Sequence, residues 1–280
     1  MSTPHLFQHE AMATTFELRI AGHPAAYAGQ AAAACFALAD RLEDVLSRYR
    51  ETSDIACINR LAPGEVFRIT ADTAACLALA LEMTALTGGA FDPTLGLATG
   101  RLLLDPEGLA VQVLDGPVSL DLGAIGKGFA LDRMAALLGE WDVSRALLVA
   151  GGSSLLALDG PNDDTTWEVG VGEPSRPFSL RHRAVGASGT TVKGAHILDP
   201  LTRSPARGVA RAWAFDASAA AADALSTAWM VLSPAEIAEV CRLRPQSAAI
   251  LQPVLGAPEL LFVGHNNPSP AASLSPTLKP

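Results

Sequence analysis

The sequence predicts an α+β domain, on three observations. Apolar residues recur at helical spacing over several long stretches, short runs alternate or cluster as strands do, and the two kinds follow one another without the regular order of a βαβ chain. The chain has 280 residues, 49% of them apolar and 18% charged, which suffices for a sizeable core in one large domain or two joined lobes. No internal repeat and no linker interrupts it, so two lobes are expected to interleave over residues 1–265. Residues 266–280 are rich in proline and serine, offer little to bury, and read as a flexible tail.

Each element follows from local pattern. Residues 14–20 alternate Phe16, Leu18 and Ile20 with polar neighbours, as in a half-buried strand. After Pro24 a long helix is expected over 25–49, where Phe36, Leu38, Leu42, Val45 and Leu46 keep helical spacing. A second helix is expected over 71–87, with Asp72 near its start and Gly88-Gly89 stopping it. Residues 118–122, VSLDL, read as a strand entering a glycine-rich turn, and 123–138 as that turn and a third helix. Further strands are expected at 146–150, 167–172 and 180–186, and helices at 218–231 and 234–243. Strands at 248–251 and 259–263 close the fold.

Charge and cysteine usage remove several function classes. A net charge of −9 argues against a nucleic-acid partner, which calls for a basic face to displace counterions. A small anionic ligand stays open, because a helix terminus or a metal can hold one on an acidic protein. Cys35, Cys57, Cys76 and Cys241 form no C-x-x-C pair, so neither zinc nor a disulfide framework is expected. Cys35 and Cys76 sit in apolar helical runs and read as buried thiols. The first residues lack a basic start and an apolar core, and the apolar run at 31–39 ends in Asp40, Arg41, Glu43 and Asp44. No secretory signal and no membrane span are expected, and the expected compartment is the cytoplasm.

Five segments carry residues suited to chemistry. In DLGAIGKGFALD, from Asp121 to Asp132, Gly123, Gly126 and Gly128 let backbone approach a ligand, and free N–H groups at the helix start favour phosphate. Lys127 adds a point charge, although a glycine-rich turn with a solvated lysine explains the pattern too. The spacing is neither a Walker loop nor a dinucleotide fingerprint. In AADALSTAWM, Asp223 and Thr227 are four residues apart and share a helix face, which suits an oxygen-only site for a hard cation. Taken alone, Asp223 also reads as a helix-surface acid and Thr227 as a back-bonded threonine. TGGAFDPTLG delivers Asp92 before a proline, behind a buried-looking Ala90-Phe91, and Asp-Pro is ordinary turn chemistry. HILDP brackets an apolar pair with His196 and Asp199; neutral imidazole can accept a proton, and it can equally be a satisfied structural group. Tyr49 and Ser53 follow the long first helix, where Tyr49 is either a ring for stacking or a core tyrosine at the helix end.

Taken in order, these segments resemble the ApbE family from Met12 to roughly Leu232. The family's M-G-T-T-F reads here Met12-Ala13-Thr14-Thr15-Phe16, and its Y-R…S-x-I…N reads Tyr49-Arg50, Ser53, Ile55 and Asn59. G-G-A-F-D-P is intact from Gly88 to Pro93, D-L-G-G-I-A-K-G reads DLGAIGKG from Asp121 to Gly128, and A-D-A-L-x-T is intact from Ala222 to Thr227. The paired glycines are Gly151-Gly152, the S-G turn is Ser188-Gly189, and H-I-I-D-P reads His196 to Pro200. Beyond the substitutions just quoted, three further features depart from the pattern. Ser153 replaces the acid that often follows the paired glycines, the stretch before His196 is short, and P-x-T-G reads Pro200-Leu201-Thr202-Arg203.

The resemblance implies an ApbE-like, T-fold-like α+β domain with an FAD cleft between its lobes. It implies a magnesium-dependent FAD:protein FMN transferase that attaches FMN to a threonine of an acceptor flavoprotein and releases AMP. By analogy Met12, Tyr49, Ala90, Phe91, Asp92, Asp121, Lys127 and Leu198 would contact FAD. Mg2+ would be held by Asp223, Thr227 and the backbone carbonyl of Ala124, with His196 as candidate base and Lys127 as charge stabiliser. An FAD pyrophosphatase releasing FMN and AMP, and a non-catalytic FAD-binding protein, are the alternatives.

Overall fold

The computed structural model describes residues 3–94, 96, 101–171, 175–189, 199–200, 202–206, 208–254 and 261–264. The chain opens with a hairpin, β1 (His5–Ala11) and β2 (Thr14–Ile20), followed by the long helix α1 (Ala25–Leu46) and the short α2 (Asp54–Ile58). Strand β3 (Val66–Arg68) leads into α3 (Ala71–Leu86), then β4 (Arg101–Asp105) and β5 (Ala110–Asp115). Helix α4 (Gly126–Glu140) precedes β6 (Ala146–Ala150), β7 (Ser154–Ala157), β8 (Trp167–Val171), β9 (Arg176–Leu180), β10 (Arg183–Gly189) and β11 (Val209–Asp216). Helices α5 (Ala219–Ala228) and α6 (Pro234–Leu243) and strands β12 (Ala248–Pro253) and β13 (Leu261–Val263) complete the order.

An eight-stranded sheet in the order β1-β2-β6-β7-β10-β11-β12-β13 is the spine, and its neighbouring strands pair antiparallel. Alternation along each strand sorts its residues onto two apolar faces. Leu148, Ala150, Leu156, Ala184, Ala212, Ala214 and Leu251 join the main core with α1, α4 and α5. Leu147, Ala157, Val185, Trp213, Phe215 and Ile250 join a second core, under the β8–β9 hairpin, with Trp167 and Phe178. Both faces are covered, which is why β6 and β11 are apolar at nearly every position.

The helix face of β11 is Ala212 and Ala214, and α5 reads AAAADALSTA. Small side chains let α5 sink onto the sheet. At Gly186 of β10 an added Cβ would lie 2.3 Å from the Ala222 carbonyl oxygen, and at Gly128 of α4 one would lie 2.1 Å from that of Ala219. These two glycines let sheet, α5 and α4 pack backbone to backbone.

Several expectations need correction. The first helix ends at Leu46: Ser47 is extended at φ −72° and ψ 125°, so Tyr49 lies beyond the helix in a loop. Residues 118–122 form no strand, although Val118, Leu120 and Leu122 are buried alternately. Their backbone partners lie elsewhere. The Asn59 side-chain amide brackets Leu120, donating to its carbonyl at 2.9 Å and accepting from its N–H at 2.6 Å, and the Asp121 N–H donates to the Pro93 carbonyl at 2.7 Å. The strand expected at 180–186 is displaced, because Leu180 ends β9 and His182 turns the chain at φ 48° before β10. The helix expected at 218–231 starts one residue later, with Ser218 capping Ala221 N–H, and ends at Ala228. Among the described residues no helix is long and apolar enough to cross a membrane. The 266–280 tail, His196 and Leu198 lie outside the described residues.

Candidate functional site

Asp223 lies on α5 and is 5% exposed, so it is a buried acid rather than a helix-surface one. Its Oδ2 accepts the Gly128 N–H at 2.8 Å, a first-turn donor of α4 that has no partner within its own helix. Ser154, at the start of β7, also hydrogen-bonds the carboxyl. Burial pushes the Asp223 carboxyl up to about 6, against the opposing pull of the Lys127 charge and of the Ser154 and Gly128 bonds.

The surrounding groups offer oxygen. Thr227, one turn on, has its Oγ1 3.3 Å from Ser188 Oγ and at a long 3.5 Å from the Asp223 carbonyl. Ser188 Oγ pairs more closely with Ser226 Oγ, at 2.8 Å. No described residue donates a hydrogen bond to the Ala124 carbonyl, which precedes the first turn of α4. A buried carboxylate, a loosely held hydroxyl one turn on and an uncommitted carbonyl at the entry to α4 are the kinds of oxygen a hard cation takes, and such a cation would also offset the cost of burying the charge. No group of three His, Cys, Asp or Glu side chains gathers as a metal cluster among the described residues; this set has one carboxylate and takes its other oxygens from a hydroxyl and the backbone.

The α4–α5 register is held at a second point. Asp132 of α4 accepts from Ser218 Oγ at 2.7 Å, Ala219 N–H at 2.7 Å and Ala220 N–H at 3.0 Å, capping α5 from outside. Burial raises the Asp132 carboxyl above its usual range, and these three bonds work against that rise.

The glycine-rich turn joins the remaining candidates. Asp121 accepts the Gly123 N–H on Oδ1 at 2.8 Å and Arg48 Nη1 on Oδ2 at 3.0 Å. Lys127 reaches back to the Gly123 carbonyl at 3.5 Å. The Pro93 carbonyl, bonded to Asp121 N–H, brings the Asp92 turn alongside. Asp92 accepts from Thr94 N–H, Thr94 Oγ1 and Gly96 N–H, the expected Asx turn, behind a fully buried Ala90-Phe91. Tyr49 is no core residue: it is 84% exposed, with the Arg48 guanidinium 5.6 Å from its ring centroid.

Met12 sits at the tip of the β1–β2 hairpin. Met12 and Ala13 have φ values of 51° and 56°, the left-handed pair of a two-residue turn. Met12 N–H donates to Glu43 Oε2 at 2.9 Å, and Glu43 pairs with Arg50 at 3.0 Å, which ties the tip to the loop that carries Tyr49. An open hollow of ≈ 440 Å³ is lined by Asp199, Thr202, Ser204, Pro205, Ala206 and Val231, the last of these just beyond the end of α5.

Sequence reading missed Arg48, Asp132, Ser154 and the Gly128 N–H as groups that hold these side chains. None of the four carried a signal of its own, although Ser154 lies two residues beyond the glycine pair. The four cysteines are free thiols. Burial pushes Cys35 to about 12 and Cys241 to about 11 and raises Cys76 as well, so these three stay protonated and inert.

The chain is similar in sequence and in fold to known proteins. A FAD:protein FMN transferase of Treponema pallidum is 30% identical over 265 residues, covering 75% of this chain and 73% of that protein. The one from Vibrio cholerae is 24% identical over 239 residues, covering 70% of this chain and 71% of its own. The crystal structure of the ApbE protein of Thermotoga maritima superposes with a TM-score of 0.79 at 25% identity, covering 93% of this chain and 97% of that one. A sequence model of the ApbE family matches residues 12–251, and the chain belongs to the ApbE family.

Proposed function

We propose that the protein is a magnesium-dependent FAD:protein FMN transferase. It splits the FAD pyrophosphate, attaches FMN to a threonine of an acceptor flavoprotein and releases AMP. The observation that carries this reading is the buried Asp223 carboxylate, gripped by the first turn of α4 beside the Thr227 hydroxyl on its own helix. Relatives of similar length bear the name of this activity.

In this reading Asp223, Thr227 and the Ala124 carbonyl hold Mg2+. Bound there, the cation would neutralise charge on the pyrophosphate and on the departing AMP. Met12, Tyr49, Ala90, Phe91, Asp92, Asp121, Lys127 and Leu198 contact FAD. The acceptor threonine oxygen attacks the phosphorus on the riboflavin side, a new P–O bond forms, and the bond to the AMP phosphate breaks. His196 takes the hydroxyl proton, and Lys127 offsets negative charge at the pyrophosphate.

The test is incubation with FAD, Mg2+ and a threonine-bearing acceptor flavoprotein, followed by covalent flavin fluorescence on a denaturing gel. A fluorescent acceptor band with AMP released in equal amount is expected, and chelation should remove both. AMP and free FMN without a labelled acceptor would make the protein a pyrophosphatase. FAD bound without turnover would make it a carrier.

A further inference from the structure

Arg48 stands one residue after the Ser47 cap of α1, in a loop the described helices leave largely open. Its guanidinium does two things at once. Nη1 donates to Asp121 Oδ2 at 3.0 Å, and Cζ lies over the Tyr49 ring at 5.6 Å. Asp121 is thereby held on both oxygens, by Arg48 on Oδ2 and by the Gly123 N–H on Oδ1. Tyr49 has no other described ring partner and exposes 84% of its surface. An aromatic side chain that open, with a cation over its ring, keeps surface free for another flat group.

We propose that Arg48 is a positioning residue for the dinucleotide: pinned to Asp121, it fixes the Tyr49 ring so that the ring's free face stacks on a planar ring of the ligand. This rests on the reading that the site takes FAD. Arg48 does not serve as a free cation for phosphate, because its charge is matched by Asp121. The planar fork of arginine suits this double task, whereas a lysine ammonium is a point charge and cannot lie flat on a ring while bonding a carboxylate. The Arg48 and Asp121 side chains are 34% and 24% exposed, so the pair contributes little to folding and its removal leaves a folded protein to measure.

The experiment is a fluorescence titration of FAD without magnesium, so that no turnover contributes, on the wild type, Arg48→Ala, Arg48→Lys, Tyr49→Ala and the Arg48→Ala/Tyr49→Ala double variant. Arg48→Ala is expected to weaken FAD binding roughly five- to tenfold, with only partial recovery in Arg48→Lys. In the double variant the losses should be less than multiplicative, because Arg48 acts through Tyr49. Parallel titrations with FMN and AMP identify the stacked ring, the Arg48 effect following isoalloxazine in one case and adenine in the other. Unchanged affinity in Arg48→Ala, full recovery in Arg48→Lys, or strictly multiplicative losses would overturn the inference. A wild type that binds no FAD either without magnesium or with it would instead overturn the functional reading on which it rests.

Discussion

Asp223 is a carboxylate made expensive by its surroundings, and the sign of that cost can be followed through pH. Its carboxyl is raised from 3.8 to about 6, so between those values the folded state holds a proton that the unfolded chain has lost. Stability from this group is therefore greatest below about pH 4 and declines as pH rises through 6. A shift of about two units corresponds to roughly 3 kcal/mol once the group is fully ionised. Asp223→Asn removes the charge and can still accept from Gly128. In chelator it should melt at a higher temperature than the wild type above pH 6, and the two should converge near pH 4. Mg2+ should then stabilise the wild type at pH 7.5 and leave the variant unmoved. Scanning calorimetry across pH 4–8 with and without the metal measures both, and parallel melting curves for the two proteins would refute the assignment. The spacing of Asp223 and Thr227 gave their common helix face in advance. It could not say that the face points inward, because an alanine-rich helix has hardly any polar side to mark outward.

Two departures from the family pattern put a side chain on left-handed backbone. Where the family pattern has glycine, this chain has Ala13 and Arg203, at φ 56° and 55°. Both therefore hold left-handed backbone that glycine takes without cost.

Among the elements, β2, β6 and α6 were fully legible, because alternation, a short apolar run and a helical stripe each finish inside one segment. Residues 118–122 misled because they alternate like a strand, yet their partners are the Asn59 amide and the Pro93 carbonyl. Such substitutions for a neighbouring strand are set by tertiary structure and leave no local trace. Strand β11 was missed for the opposite reason, since its two buried faces hide the alternation. The α4–α5–β10 contact is equally invisible in sequence and gives a paired prediction. Gly186→Ala would put a Cβ 2.3 Å from the Ala222 carbonyl oxygen, forcing α5 off the sheet and costing about 1–3 kcal/mol. Gly139→Ala, on an exposed part of α4 with nothing within 4 Å of the added carbon, should stabilise by about 0.5–1 kcal/mol. Urea denaturation reads both. A neutral Gly186→Ala would show that the helix has room the packing denies it.

At the scale of the molecule, one buried ion pair closes the ring of elements around the sheet. Asp216, at the end of β11, is fully buried and receives Arg244 Nε at 2.8 Å and Nη2 at 3.1 Å, Ser247 Oγ at 2.5 Å and the Ser218 N–H at 2.9 Å. Arg244 caps α6 and also reaches Glu82 of α3 at 3.3 Å. Through these contacts α3, α6 and β12 are fastened to the strand end from which α5 departs toward Asp223. Breaking such a pair costs more than the pair contributes, because the remaining charge stays buried without its partner. Arg244→Met should lower stability by about 3–5 kcal/mol, and Asp216→Asn added to it should recover part of the loss by removing the stranded charge. The same single variant should speed hydrogen exchange at the amides of α5, since Asp216 holds the Ser218 N–H at its start, while α1, which packs chiefly on α4 and β1, should change little. Urea midpoints for the three proteins, combined with exchange rates resolved by helix, decide the matter. Equal midpoints for the single and double variants would mean that Asp216 finds water or another donor once Arg244 is gone, and exchange that rises uniformly across all helices would mean that the pair sets global stability without favouring α5.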